Sequence, residues 1–214
     1  MGIIGSMKRS LWILLLSLLP LYLSAQDNTW EKPEEEETEA QQKQEKVNPD
    51  AKYLRGAVPE IDGKIVFSTT IAAPGKSASE IYAIIKKYME KMLREKNQFH
   101  SQIVLEDSAA WTIAASFDEW LVFRSNALVL DRTHFMYVLK ADCQKGQATI
   151  SISRIHYLYG EGRDSQRYRA EEWISDDAAV NKKNTRLLPL SAKFRRKTID
   201  RKDFLFNKFE SLLK

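Results

Sequence analysis

One stretch, Asp118 to Tyr159, constrains the fold more than any other part of the chain. Its side chains alternate between apolar and polar with a period of two, as a β-sheet with one buried face requires. Two breaks interrupt the alternation, at Leu130-Asp131-Arg132 and between Asp142 and Gly146, where the glycine can adopt a positive φ in a hairpin. The pattern predicts three consecutive antiparallel strands, at Trp120–Asn126, Thr133–Ala141 and Gln147–Tyr159.

The third of these segments changes its parity part-way along. Ile150 and Ile152 lie on one parity, whereas Ile155 and Tyr157 lie on the other, so the pattern shifts near Ser153-Arg154. Such a shift indicates either a β-bulge or a strand that leaves one core for another.

Local signals also define the elements before this meander. Ile61–Ile71 alternates and predicts a strand. Ser77 and Glu80 have the spacing of a capping box, so a helix begins here, and we expect it to end near Asn97. Short strands are predicted at Gln102–Glu106 and Trp111–Phe117. The apolar stripe of the helix consists of Ile81, Ile84, Ile85, Tyr88, Met92 and Leu93.

Helices are predicted after the meander as well. Gly160–Gln166 has the composition of a loop, and Ser175 begins a short helix that runs to about Lys183. Thr198 or Asp200 caps a closing helix that packs on the sheet. This order predicts an α+β fold in which about six antiparallel strands are packed by a helix from the N-terminal half and a C-terminal helix. Helix-grip folds and TATA-box-binding-protein-like (TBP-like) folds arrange their elements in this way.

The beginning of the chain has the composition of an export signal. Lys8-Arg9 precedes an apolar run, Leu11–Leu23, and the small residues Ser24-Ala25 suit cleavage before Gln26. The run is shorter than the roughly 20 residues that a membrane span needs, and an uncleaved anchor is the alternative interpretation. We expect residues 1–25 to be a cleaved signal peptide, residues 26–56 an acidic disordered linker and residues 57–214 the folded domain.

Charge is distributed unevenly along the chain. Residues 26–50 contain nine acidic and three basic side chains, whereas residues 181–214 contain eleven basic and three acidic ones. The basic segment is interpreted either as a contact for an anionic surface, such as lipopolysaccharide or a membrane, or as a solvated helix face. Nucleic acid is a poor candidate partner for an exported protein, so we expect an unknown protein or an envelope component instead.

Five segments carry a resemblance to a known family: Leu23–Gln26, Gly63–Phe67, Ser77–Tyr82, Asp118–Phe123 and Ile155–Tyr159. They resemble the exported proteins grouped as domain of unknown function 4468. The resemblance spans about Val58 to Tyr159 and implies a TBP-like fold. Together with the leader it implies the periplasm or cell envelope of a Gram-negative bacterium. The family has no established activity, so it supplies no functional residue, and "TBP-like" describes a shape rather than DNA binding.

Residue spacing gives little support to catalysis or metal binding. Cys143 is the single cysteine, so it has no disulfide partner within the chain, and a structural role is favoured over a reactive thiol. The three histidines lack the close pairing of zinc ligands, and the acidic pairs Asp118-Glu119 and Glu171-Glu172 are predicted to be turn or edge residues. We expect no catalytic residue, no metal and no cofactor. An enzyme, a hydrolase in particular, would be indicated by a cluster of Asp118, Glu119, His134 and His156.

Aromatic and arginine side chains around the end of the third strand form the candidate ligand site. We expect the aromatic ones to converge with Phe204 and Phe209 at one end of the sheet. The cleft between the sheet and the C-terminal helix would then take an amphipathic or anionic ligand. The alternative interpretation is an ordinary core with charged loops. The candidate residues are Arg154, Tyr157, Tyr159, Arg167, Tyr168 and Trp173.

These features favour an exported, non-enzymatic binding or interaction domain. The alternative is a helix-grip-like module that holds a small apolar or anionic ligand. A core that is closed at the candidate site would favour protein interaction. A cavity of about 300 Å³ or more with convergent polar groups would favour ligand binding.

Overall fold

A computed structural model describes residues 48–160 and 164–214. The predicted signal peptide, residues 1–25, and the first part of the predicted linker, residues 26–47, lie outside this description. The strands are β1 (Glu60–Ile61), β2 (Lys64–Ile65), β3 (Phe67–Ala72), β4 (Gln102–Asp107), β5 (Thr112–Ser125), β6 (Leu130–Gln144), β7 (Gln147–Tyr159) and β8 (Gln166–Arg169). The helices are α1 (Ala78–Leu93), α2 (Ala170–Trp173), α3 (Asp176–Ala179) and α4 (Pro189–Leu213), with a short 3-10 helix at Ala51–Tyr53.

Six antiparallel strands form the main sheet, in the order β3-β7-β6-β5-β4, with β8 paired to the last part of β7. α1 and α4 pack together on one face of this sheet and bury one apolar core. The predicted α+β architecture is therefore confirmed. No helix within residues 48–160 and 164–214 combines the length and the apolar character that crossing a membrane requires.

The make-up of the six strands differs from the prediction at β5. This single strand, Thr112–Ser125, covers most of Trp111–Phe117 and Trp120–Asn126, which the sequence predicts as two separate strands. Ile113, Phe117 and Leu121 all face the core, and Glu119 continues their parity although it is charged. The predicted turn or edge position of Asp118-Glu119 is wrong, because both residues lie inside β5, between β6 and β4. The buried Glu119 carboxylate interrupts the apolar pattern without interrupting the strand. β8 is the sixth strand of the main sheet, and its first residue, Gln166, lies in the segment predicted to be a loop.

The hairpin and bulge predictions for the meander are confirmed. Lys145 and Gly146 connect β6 to β7, and Gly146 has a φ of 81°. The register of β7 shifts at Arg154, whose φ is 55°, so Ile152 and Ile155 both reach the same core. The other predicted break, at Leu130-Asp131-Arg132, lies inside β6, because the β5–β6 loop comes earlier, at residues 126–129.

The predicted first strand, Ile61–Ile71, is divided into three. Asp62 and Gly63, both with positive φ, close a small hairpin of β1 and β2, and β3 then joins the main sheet beside β7. Ile65, Phe67 and Ile71 face the core as their parity predicts.

α1 begins as predicted and ends earlier. The Ser77 hydroxyl accepts a bond from the Glu80 amide, and the Glu80 carboxylate accepts one from the Ser77 amide, which completes the capping box. The helix ends at Leu93, four residues before the predicted end at Asn97. Its buried stripe is rotated slightly from the predicted one, so that Ile84 and Tyr88 lie at the edge of the core rather than in it. The buried residues are Ile81, Tyr82, Ile85, Met89 and Met92.

α4 begins at Pro189, well before the predicted caps at Thr198 and Asp200. Proline is favoured in the first turn of a helix because its missing N–H would have no helical partner there. The stretch between Pro189 and Thr198 is rich in charged residues, so it lacks the apolar stripe from which a helix is predicted. Phe194, Arg195 and Thr198 are all buried on that face.

Arg195 holds the helical layer together although its side chain is fully buried. Its guanidinium donates to the carbonyl oxygens of Tyr53 at 2.6 Å, Leu54 at 2.7 Å and Ile174 at 2.6 Å. It also donates to the Asp176 carboxylate at 2.6 Å. Tyr53 and Leu54 belong to the predicted linker, residues 26–56. In the structure their carbonyl oxygens accept hydrogen bonds from Arg195 of α4.

A second buried arginine joins α4 to the sheet. Arg201 donates through Nε and Nη2 to the two carboxylate oxygens of Glu119, each at 2.8 Å. Tyr137 donates to Glu119 at 3.0 Å, and the Gln98 side chain donates to it at 2.8 Å. Burial and the neighbouring carboxylate raise the pKa of Tyr137 well above its usual value, so its hydroxyl remains a donor.

We predict that breaking this pair from one side destabilises the fold strongly. Glu119→Leu and Arg201→Met should each cost about 3–5 kcal/mol, because each leaves an uncompensated buried charge or donor set. The double variant should lose less than the two single losses together. Denaturation in guanidinium chloride measures all three free energies of unfolding.

Asp177→Asn is the matched control for loss of an ion pair. The Asp177 side chain is 92% exposed in its pair with Arg55, so this variant should lose less than about 1 kcal/mol. Single-variant losses at Glu119 and Arg201 that are no larger than this would contradict a structural role for the buried pair.

Candidate functional site

Four of the predicted aromatic residues converge around Phe194, which is not among the residues predicted for the site. Phe194 of α4 lies at the centre, with ring centroids 5.1 Å from Tyr157, 5.3 Å from Tyr159, 6.3 Å from Tyr168 and 5.7 Å from Trp173. Tyr168 stacks on Trp173 at 4.2 Å. We call these five residues the Phe194 cluster.

The polar groups of the Phe194 cluster are largely engaged within the protein. The Tyr157 hydroxyl lies 2.7 Å from the Thr198 hydroxyl, and Tyr159 donates to Asp131 at 2.9 Å. Lys193 donates to the Tyr159 oxygen at 2.7 Å. Tyr157 and Phe194 are at most 1% exposed. The cluster therefore has the packing of a core.

The remaining candidate residues do not join this cluster. Tyr168 pairs with Tyr157 across β7 and β8, so Arg167, its neighbour along β8, points to the opposite face of the sheet. Arg154 is exposed at the β7 bulge. Phe209 packs on Tyr88 at 5.3 Å, and Phe204 is 41% exposed. The expected cleft of aromatic and arginine side chains is thus divided between two faces.

We predict that Phe194→Ala costs about 3–5 kcal/mol of folding stability, as large-to-small changes in a packed core do. Phe204→Ala on the same helix should cost about 1 kcal/mol or less, because its side chain is partly in water. Chemical denaturation compares the two. Similar small losses for both variants would show that the cluster is not part of the core.

The side of the sheet opposite the helices is half exposed, and we call it the open face. Two rows of side chains cross it from β5 to β8. One row is Trp120, His134, Leu158 and Arg167, and the other is Asp118, Met136, His156 and Arg169.

The open face carries a packed cluster around Trp120. The indole lies 4.2 Å from the ring of His134 and 5.1 Å from Phe99, measured between centroids. Phe99 is 42% exposed. The Arg132 guanidinium stacks over Trp120 at 3.8 Å, a distance suited to a cation–π interaction. Asp118 accepts a bond from His134 Nδ1 at 2.7 Å.

An enzyme would be indicated by a cluster of Asp118, Glu119, His134 and His156, and the structure does not bring these four residues together. Asp118 and His134 are bonded, but Glu119 lies on the core face with Arg201. His156 Nδ1 lies 2.8 Å from the Arg154 carbonyl oxygen instead. Among the residues that the structure describes, no group of three or more His, Cys, Asp and Glu side chains is placed to hold a metal ion.

Cys143 faces the core from β6 and is buried. Burial, together with the nearby Asp142 carboxylate, raises the pKa of its thiol to about 11. A thiol reacts through its thiolate, so both effects suppress nucleophilic reactivity at neutral pH.

We predict that native Cys143 reacts with a thiol-specific disulfide reagent at pH 8 about 100-fold more slowly than it does after unfolding, because the raised pKa lowers the thiolate fraction. Absorbance in the presence and absence of guanidinium chloride measures both rates, with Cys143→Ala as the blank. Rapid stoichiometric labelling of the folded protein would contradict a buried, structural cysteine.

The residues that the structure describes form grooves on the helical side of the molecule, away from the Phe194 cluster, and two of them are relevant to binding. The larger, about 770 Å³, follows the seam between α1 and α4. The smaller, about 370 Å³, lies between β3 and the C-terminal half of α4.

This geometry defines an α+β domain of the TBP-like class. A family model described as a domain of unknown function (DUF4468) with TBP-like fold matches residues 67–158. A DUF4468 family protein from Bacteroides ovatus, known from its crystal structure, is 41% identical, with a TM-score of 0.72 over 78% of this chain and 96% of that one. The chain belongs to the DUF4468 family, as its sequence motifs predict.

A second solved structure extends the likeness of fold. A TBP-like protein from Parabacteroides distasonis is 22% identical, with a TM-score of 0.60 over 73% of this chain and 96% of that one. At this identity the likeness concerns the fold alone. No curated protein matches the chain.

Proposed function

We propose that this chain is an exported, non-enzymatic interaction domain that binds a protein partner with its open face. The observation that carries the proposal is the contrast between the two sides of the sheet. The helix-covered side is filled by the Phe194 cluster and the Glu119–Arg201 pair, whereas the open face presents the Trp120 cluster half exposed.

The chemistry of the open face favours a partner segment that combines carboxylates with apolar side chains. Trp120, Leu158 and Met136 supply apolar area, and Arg132 and Arg167 supply positive charge beside it. Tryptophan and arginine are the residues that most often dominate binding energy at protein interfaces. The contacts of Trp120 with His134 and Phe99 hold its ring in place, so less side-chain entropy is lost on binding.

Export is the second part of the proposal and is supported by the leader sequence. The basic n-region, the apolar run and the small residues before Gln26 have the order of a cleaved signal peptide. We propose that the mature chain begins at Gln26 and acts in the periplasm or cell envelope.

A photocrosslinker at Met136, at the centre of the open face, tests both parts in the native cells. The full chain with the crosslinker at exposed Ala83 of α1 is the matched control. We expect a protein adduct in the envelope fraction from the Met136 position only, with the mature chain starting at Gln26. Mass spectrometry should map the adduct to an acidic, partly apolar segment of the partner.

Charge reversal identifies the surface that makes the adduct. Arg132→Glu with Arg167→Glu should reduce the adduct about fivefold or more, because like charges would face the acidic segment. Lys145→Glu with Lys182→Glu changes the net charge equally at exposed positions elsewhere and should leave the yield unchanged. Equal yields from both pairs, an adduct from Ala83 instead, or retention in the cytoplasm would contradict the proposal.

A further inference from the structure

The groove between α1 and α4 has the composition of a binding site for an amphiphile. Its volume is about 770 Å³, within the range of small-molecule sites. It is lined by Ile84, Lys87, Tyr88, Glu90, Lys91, Arg94, Lys208 and Leu212.

The floor of the groove is apolar because of the way α1 is rotated on the sheet. Ile81 and Ile85 point into the core, so Ile84 and Tyr88, one turn apart, lie along the flank that faces α4. Leu212 completes the floor from α4, and Tyr88 is fixed by an edge-to-face contact with Phe209. Three half-exposed apolar side chains thus form a continuous strip.

Four cations surround this strip. Lys87, Lys91 and Arg94 recur along α1 at helical spacing, and Lys208 reaches across from α4 to within 6.0 Å of the Tyr88 ring centroid. Glu90, the acidic residue of the lining, lies 3.8 Å from Lys86 outside the groove.

No ion pair within residues 48–160 and 164–214 involves these four cations, in contrast to several basic residues of α4. Lys193, Arg195, Arg196 and Arg201 are each paired with a carboxylate. The four cations along the groove outnumber its one lining carboxylate, Glu90, so the groove carries net positive charge. A ligand that supplies negative charge there gains favourable electrostatic energy.

We propose that the groove binds a single-chain anionic amphiphile, with its phosphate or carboxylate head on the cations and its acyl chain along Ile84, Tyr88 and Leu212. The three apolar side chains of the strip offer less contact than an amphipathic helix needs, because such a helix binds through apolar anchors repeated over two turns or more. The inference is independent of the open face, and it moves the predicted ligand site from the sheet–helix cleft to the seam between two helices.

Calorimetric titration of the mature chain with dodecyl phosphate below its micelle concentration tests the site. Dodecylphosphocholine has the same chain without net charge, and inorganic phosphate has the head without the chain. We expect dodecyl phosphate to bind about tenfold or more tightly than either. Leu212→Ser should weaken binding of dodecyl phosphate and not of inorganic phosphate.

Variants locate the binding and separate it from misfolding. Lys91→Glu with Lys208→Glu should weaken dodecyl phosphate about tenfold or more, while Lys145→Glu with Lys182→Glu, an equal charge change, should have no effect. The unfolding midpoint of each variant confirms its fold.

Three results would overturn the proposal. One is equal binding of dodecyl phosphate by both variant pairs. Another is equal binding of the charged and zwitterionic amphiphiles, which would indicate unspecific apolar contact. The third is binding to phosphatidylglycerol vesicles without binding of monomeric dodecyl phosphate, which would indicate a membrane-contact surface instead.

Discussion

The buried ion pair between Glu119 and Arg201 is the interaction on which the rest of the structure depends. Removing two charges from water costs several kcal/mol for each ion, and only close pairing with additional hydrogen bonds offsets that cost. Both oxygens of the Glu119 carboxylate are hydrogen-bonded, to donors from Arg201, Tyr137 and Gln98. The pair fixes the register of β5 and the position of α4 at once, because a slip of one residue along β5 would turn Glu119 to the open face.

The same requirement explains two of the basic residues in the C-terminal segment, residues 181–214. The basic C-terminal segment is not one surface, because Arg195 and Arg201 point inward and are held by Asp176 and Glu119. Lys208, on the same helix, points outward and lines the groove. A segment that looks uniformly basic in sequence therefore serves two purposes, internal anchoring and a positive outer flank.

Packing both long helices on one side of the sheet determines which surfaces are free to bind. Phe194 and its neighbours fill the space between the end of β7 and the N-terminal half of α4, so the predicted aromatic site is part of the core. Helices are cylinders about 10 Å across, so two that lie side by side leave a seam along their outer flanks. The opposite side of the sheet carries Trp120 and His134 half exposed. Both proposed binding surfaces follow from this one-sided arrangement.

The sequence by itself determined the elements whose signals are local: the cap at Ser77, the turn at Gly146 and the bulge at Arg154. The tertiary structure alone decided that β5 is continuous, that α4 starts at Pro189, and that Phe194, rather than the two arginines of the candidate site, completes the aromatic cluster. The physical reason is that a charged side chain is ordinarily exposed, and only its partner reveals that it is buried. Glu119 and Arg201 are 82 residues apart in the chain, beyond the reach of any local pattern.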